Sequence, residues 1–161
     1  MVAGSFSDES VSPVAASRLW KANVQDGNAL IPKLMPEVIA SIEVLHGDGG
    51  VGTVKKFHFT NVMKDFSYAT DKLVEVDHEK KTFKIEVLEG GWIGVRLKSY
   101  SFTVTLDSTS EGGCKVKLLV EYDTLNDTPL SVEEAKGLKE GILGMHKALE
   151  GHLLANPNAY V

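Results

Sequence analysis

The 161-residue sequence predicts one α+β domain, an antiparallel sheet in meander order with a long helix at its C-terminal end. Three observations predict it. Strand-like segments between residues 38 and 123 succeed one another at close spacing with turn signals between them. Residues 131–154 carry an apolar stripe at helical spacing. Hydrophobic residues make up 43% and charged residues 24%, enough for a single core in a chain that buries roughly 70% of its unfolded surface.

The elements follow in order. Residues 3–11 alternate as a first strand. Pro13 stands where a first helical turn tolerates proline, and a helix over 14–24 carries Val14, Leu19 and Trp20 as its apolar points. Asp26-Gly27-Asn28 reads as a turn and cap, so a second short helix over 28–35 ends before Pro36. Val38–Leu45 is rich in β-branched residues. Thr53–Thr60 alternates, with Phe57 and Phe59 on one face and Lys56 and His58 on the other. Phe66, Tyr68 and Thr70 share a face; so do Phe83, Ile85 and Val87, and so do Tyr100, Phe102, Val104 and Leu106. The last strand covers Cys114–Asp123. Glycine pairs at 49–50, 90–91 and 112–113, and the run Asp77–Lys80, mark turns.

Pro129 and Ser131 open the long helix, where Ser131 and Glu134 fit a capping box, and Asn156-Pro157 stops it after Leu154. Leu138, Ile142, Met145, Leu149 and Leu153 form its apolar stripe. Gly137, Gly141, Gly144, Ala148 and Gly151 form a second. Each glycine costs about 1 kcal/mol against alanine inside a helix. Close approach of another backbone, or empty volume kept for a ligand, would offset that cost.

Composition excludes several function classes. The net charge is −5, whereas nucleic-acid binding draws on basic residues. No run approaches the ~18 apolar residues of a membrane span. Residues 1–12 have neither a basic start nor an apolar stretch, so no signal peptide is expected. The lone cysteine, Cys114, rules out a disulfide scaffold and makes the cytoplasm the expected compartment. No base is paired with it for nucleophilic work. The five histidines show no zinc-ligand spacing, so neither metal nor cofactor is expected.

Two features carry possible chemistry. Gly47-Asp48-Gly49-Gly50-Val51-Gly52 could cradle an anion on successive backbone N–H groups. A dinucleotide fingerprint, however, joins a strand to a helix, and here strands lie on both sides, which favours a tight inter-strand loop. The apolar sheet face also holds polar groups. Alternation places Lys55 beside Phe57, and Tyr100 and Lys98 beside Phe102. In the last strand either Cys114, Val116, Leu118, Val120 and Tyr122 or Lys117, Leu119 and Glu121 face inward. Few polar groups on an apolar face fit a ligand cavity; lysines at strand ends that snorkel to solvent are the other reading.

At these residues the sequence resembles a known family. Gly47–Gly52 followed by Thr53-Val54-Lys55-Lys56 is similar to the glycine loop of the plant pathogenesis-related proteins of class ten, the family of the major birch pollen allergen. Pro13–Trp20, Asp26–Asn28, Pro32-Lys33, Val76–His78, Glu89–Gly91, Gly112-Gly113 and His152–Tyr160 match in order, so the resemblance spans residues 1–161 as one domain. It implies a helix-grip fold of the START-like kind. Seven curved antiparallel strands would surround the long C-terminal helix, with two short helices in a V and a large internal cavity. It further implies a cytosolic, stress- or defence-related monomer, and allergenicity is inferred from the resemblance alone. Its partner would be an apolar small molecule such as a cytokinin, flavonoid, other phenolic or fatty acid.

Site residues follow from the resemblance position by position. Ile39, Phe57, Phe59, Phe66, Tyr68 and Phe83 match pocket-lining places, as do Ile85, Tyr100, Phe102, Val104, Gly141 and Met145. Leu138 and Ile142 join them from the helix stripe. Asn23 and Gly141 replace larger side chains and imply a roomier pocket; Lys55, Tyr68, Tyr100 and Lys117 would orient the ligand. Two enzymatic readings stand beside the carrier. A ribonuclease would use Lys55 and Glu150, but Lys98 stands at its sixth-strand carboxylate position. A condensing enzyme like the norcoclaurine synthases would use Tyr100 and Lys117, but Phe102 replaces its acid.

Overall fold

Alternation from Val38 to Asp123 folds as one antiparallel ladder. The computed structural model describes residues 1–161. Its order is β1 (Ala3–Ser12), α1 (Ala16–Leu34), β2 (Ile39–His46), β3 (Val54–Phe59), β4 (Tyr68–Asp77), β5 (Thr82–Gly90), β6 (Leu97–Ser108), β7 (Cys114–Thr124) and α2 (Val132–Ala155). The seven strands lie β1-β7-β6-β5-β4-β3-β2, and every neighbouring pair is antiparallel. β1 and β2 are therefore the two edges, and α1 connects them. Both helices pack on the same inner face, where the core gathers Leu19, Trp20, Val104, Leu118, Leu149 and Leu153.

Cross-strand register fixes which side chains look inward. Val87 opposes Tyr100, Ile85 opposes Phe102 and Phe83 opposes Val104; Val104 in turn opposes Leu118. Cys114, Val116, Leu118 and Val120 are buried, while Lys115, Lys117, Leu119 and Glu121 are exposed. The ambiguity of the last strand is thereby settled in favour of the cysteine face. On β6 the register slips between Leu97 and Ser99. That bulge buries Leu97 and turns Lys98 out to solvent, contrary to simple alternation from Phe102.

Two expectations change. The pair of short helices is one continuous helix, Ala16–Leu34. Asp26-Gly27-Asn28 does not interrupt it, because each residue added to a helix gains a hydrogen bond while one internal glycine costs only about 1 kcal/mol. The expected common face of Phe66, Tyr68 and Thr70 is also split. Phe66 precedes β4 and packs inward, edge-on to Phe59 with ring centroids 5.3 Å apart and edge-on to Trp92 at 5.8 Å. Tyr68 pairs with His58 and Thr70 with Lys56, so both lie on the outer face.

α2 is fastened at each end. Ser131 Oγ accepts from Glu134 N at 3.1 Å, and Ser131 N donates to Glu134 Oε1 at 2.9 Å, the predicted capping box. Arg96 binds Glu134 Oε2 at 2.6 Å and donates to the carbonyls of Thr128 and Pro129 at 3.1 and 2.9 Å. At the other end Arg18 of α1 donates to the carbonyls of Leu153, Asn156 and Ala159 at 3.2, 2.8 and 3.0 Å. A cation on the last carbonyls also suits the helix dipole.

Candidate functional site

The β3–β4 register sets Lys55 opposite Asp71 and Phe57 opposite Ala69, so a lysine and an aspartate share the inner face beside aromatic rings. α1 supplies Asn23 and Ile31 above them; α2 supplies Ile142, Met145 and His146. These side chains enclose a lobe of about 80 Å³, whose floor includes Phe57, Phe83, Ile85 and Phe102. A second lobe of about 90 Å³ lies toward Trp20, Thr53, Leu73 and His78. Asn23, Lys55, Asp71, Phe83 and Ile85 wall both lobes.

The room is smaller than the large cavity the resemblance implies, since ligand sites commonly span about 300–1,000 Å³. Phenylalanine rings and the Met145 side chain occupy the space between sheet and helix. A larger hollow of about 460 Å³ lies outside, between α2 and Asp8, but it is open to solvent and lined by Lys136, Lys139, Glu140 and Lys147.

Burial dominates the electrostatics. It pushes the Asp71 carboxyl up to about 7, against the opposing pull of Lys55. It lowers Lys55, against the opposing pull of Asp71. Each group loses hydration, and their mutual attraction recovers only part of that loss. Burial also pushes the His146 imidazole down to about 4, and neither of its ring nitrogens has a hydrogen-bond partner. Trp20 Nε1 donates to His78 Nδ1 at 3.2 Å.

The expected site residues divide into groups. Asn23, Lys55, Phe57, Phe83, Ile85, Phe102, Ile142 and Met145 line the lobes. Ile39, Val104 and Leu138 are core residues, 2%, 0% and 7% exposed. Phe59 and Phe66 belong to the aromatic group with Trp92. Tyr100 faces inward, but its hydroxyl accepts from Trp92 N at 3.3 Å, and burial pushes its pKa up to about 12.

Two of the four expected orienting groups lie elsewhere. Tyr68 is on the outer face, with its hydroxyl donated to Glu89 Oε1 at 2.8 Å and Lys56 Nζ 4.7 Å above its ring. Lys117 is also outside, 2.7 Å from Asp107 Oδ2, because β7 points its odd-numbered residues between 115 and 121 to solvent. Lys117 and Tyr100 are thus on opposite faces. Glu150 pairs with Lys147 at 3.1 Å and walls neither lobe with Lys55.

Neither explanation for the helix glycines holds. A Cβ on Gly137, Gly141, Gly144 or Gly151 would meet nothing within 4 Å, so no backbone approaches. Gly137, Gly141 and Gly151 are exposed, and none of the four walls the lobes. Gly144 borders the solvent-open hollow beside Lys139 and Asp8, and the other three do not. The glycine loop Gly47–Gly52 joins β2 to β3 and turns three of its backbone donors, those of Gly49, Gly50 and Gly52, to partners within the chain. Gly49 N donates to Thr53 Oγ1 at 2.8 Å, Gly50 N to Asp48 Oδ1 at 3.0 Å and Gly52 N to Leu73 O at 2.8 Å. With Asp48 at its mouth it is a strand connection, not an anion cradle.

Asp71, His146, Ile42 and Ile31 were missed as wall residues. The signals existed. Asp71 follows once Lys55 is placed inward and paired across the ladder. His146 sits four residues after Ile142 and three before Leu149, within the helix's apolar arc.

Comparison with known proteins agrees with this geometry. The chain is 40% identical to a pathogenesis-related protein 1 of Asparagus officinalis over 161 residues, the full length of both chains. It superposes on the crystal structure of Ara h 8.0201 with a TM-score of 0.84 at 37% identity, covering 96% of this chain and 100% of that one. The norcoclaurine synthase of Thalictrum flavum, solved with dopamine and hydroxybenzaldehyde, gives a TM-score of 0.75 at 24% identity, covering 96% of this chain and 88% of that one. That last likeness is one of fold. The sequence profile of the pathogenesis-related protein Bet v 1 family matches residues 1–156, and the chain belongs to that family.

Proposed function

We propose that the protein binds an apolar small molecule between its sheet and α2 and serves as a carrier or store for it, as a cytosolic monomer of plant defence or stress. The supporting observation is the pair of adjoining inner lobes, walled by Phe57, Phe83, Ile85 and Phe102 with a few polar groups among them. Apolar ligand surface leaving water gains roughly 25 cal/mol per Å², reduced by the cost of ordering the partners. Of the four expected orienting groups Lys55 lines the lobes, and Asn23, expected only as a pocket residue, offers a second polar group beside it. Phytohormones, flavonoids, other phenolics and fatty acids are the ligand classes this reading includes.

One observation favours a second reading, an enzyme of the same fold. Asp71, held at about 7 beside Lys55, has the proton affinity suited to general acid–base work near neutral pH. Native mass spectrometry of protein isolated from its source tissue separates the two. A single bound hormone, phenolic or lipid supports the carrier. Two molecules related by one reaction support the enzyme. A protein that comes off empty and does not shift a cavity-seeking fluorescent dye contradicts both.

A further inference from the structure

α2 presents one ionisable side chain, His146, to the first lobe. The residue is 6% exposed. Its ring lies nearly parallel to that of Phe83, with centroids 6.3 Å apart and planes 17° apart. Neither Nδ1 nor Nε2 has a hydrogen-bond partner. The Ile142 carbonyl one turn earlier raises the ring's proton affinity against the larger effect of burial, but it is not placed to make a hydrogen bond of normal distance and angle. A neutral imidazole carries one donor and one acceptor, and leaving both unmade in the interior is costly. A leucine at this point of the stripe would fill the space without that cost. The imidazole therefore calls for a partner from outside the chain.

The other walls describe that partner. Phe57, Phe83 and Phe102 offer flat apolar surfaces suited to an aromatic ring. The lobes, about 80 and 90 Å³, share five wall residues and together match the roughly 150 Å³ that holds benzene in a protein interior, whereas neither does alone. Burial raises the Asp71 carboxyl and lowers the Lys55 ammonium, so the same burial disfavours a charged ligand and favours a neutral one. Burial keeps His146 neutral at pH 7, with its pKa near 4, so one ring nitrogen remains an acceptor. Water can satisfy such a group in a polar site, but walls this aromatic favour a ring that brings its own hydroxyl.

Resting on the reading that the interior holds an apolar small molecule, the geometry points to His146 as its polar anchor: the two adjoining lobes together take a neutral phenol, its ring among Phe57, Phe83 and Phe102 and its O–H donated to an imidazole nitrogen. Asn23 on α1 and Lys55 on β3 border the same lobes and are available to further polar substituents.

Phenol and benzene test this as a matched pair, titrated at pH 7 against the full chain and His146→Leu by calorimetry. Phenol affinity is expected to fall at least tenfold in the variant, while benzene affinity stays level or rises. A second readout needs no variant: in ¹⁵N-histidine spectra of the wild type, the His146 ring nitrogens shift with phenol and not with benzene. If both probes bind, yet the substitution changes neither affinity and phenol leaves the His146 signals in place, the anchor is wrong and the cavity reading stands. If neither probe binds and a larger apolar dye also fails, the cavity reading falls and takes the anchor with it.

Discussion

Replacing Asp71 by Asn should expose a pH dependence of stability that the wild type conceals. Asp71 and His146 wall the same lobe, and burial moves them in opposite directions, the carboxyl up to about 7 and the imidazole down to about 4. The signs follow from proton counting. Between about pH 4 and 6.5 the unfolded chain protonates His146 and the folded one does not, so this residue makes stability rise with pH. Between about pH 4 and 7 the folded chain keeps Asp71 protonated and the unfolded one does not, so that residue makes stability fall with pH. Each contributes about 1.4 kcal/mol per pH unit, and from pH 4 to 6.5 the two nearly cancel.

In Asp71→Asn only the histidine slope remains. Relative to wild type, the variant should gain about 3 kcal/mol in unfolding free energy between pH 4 and 6.5. His146→Leu should show the reverse, losing about 3 kcal/mol over the same window. Urea unfolding at half-unit steps of pH reads both. The background from exposed carboxylates is common to all three proteins and drops out of the differences. Three parallel curves would show that these groups titrate alike in folded and unfolded chains, and would refute the electrostatic argument. In addition, His146→Leu should be more stable than wild type at low pH, where the buried ring resists a proton that the unfolded chain accepts.

Four simpler perturbations follow. Ser131→Ala should cost about 1 kcal/mol of unfolding free energy by removing one half of the α2 capping box, measured in urea at pH 7. Leu149→Ala, at a position with 0% exposure, should cost about 2–5 kcal/mol and lower the melting temperature accordingly. Lys117→Ala should leave ligand affinity unchanged and barely move the urea midpoint, because its pair with Asp107 is at the surface; a loss of binding would mean that the Lys117 side chain faces the interior. Gly141→Ala meets open space and should stabilise the protein by about 1 kcal/mol, as read by thermal unfolding.

Strand and helix positions were legible where one period ran unbroken. β7 and α2 fall within a residue or two of the boundaries read from sequence, because alternation over Cys114–Thr124 and the Ser131 cap are local signals. The misplacements came where a period was broken by something non-local. Alternation gives Phe66 and Tyr68 one face and the resemblance gives Tyr68 a pocket position, but the chain turns between them, and Phe59 N pairs with Ser67 O at 2.8 Å. Lys98 was set inward across a bulge that pairing alone reveals. Asp26-Gly27-Asn28 carries the chemistry of a turn, yet packing against α2 and β2 lets the helix run on. Lys117 had two possible faces, and only the burial of its neighbours decides between them. Asp71 shows how pairing recovers a site residue: once Lys55 is inward, its ladder partner must be inward too.

The fastening of α2 has a mechanical consequence. Arg96 and Arg18 rivet its two ends to the rest of the molecule, while its middle carries glycines on an open edge. A rod riveted at both ends and notched along one side bows at mid-span before it comes away, and glycine is where helices give. Bowing would lift Ile142, Met145 and His146 together from Phe57 and Phe83, enlarging the first lobe without loosening either rivet. The volume at rest is then the floor of what the interior admits. Filling the glycine notches with methyl groups would stiffen the helix and hold the interior nearer its resting volume.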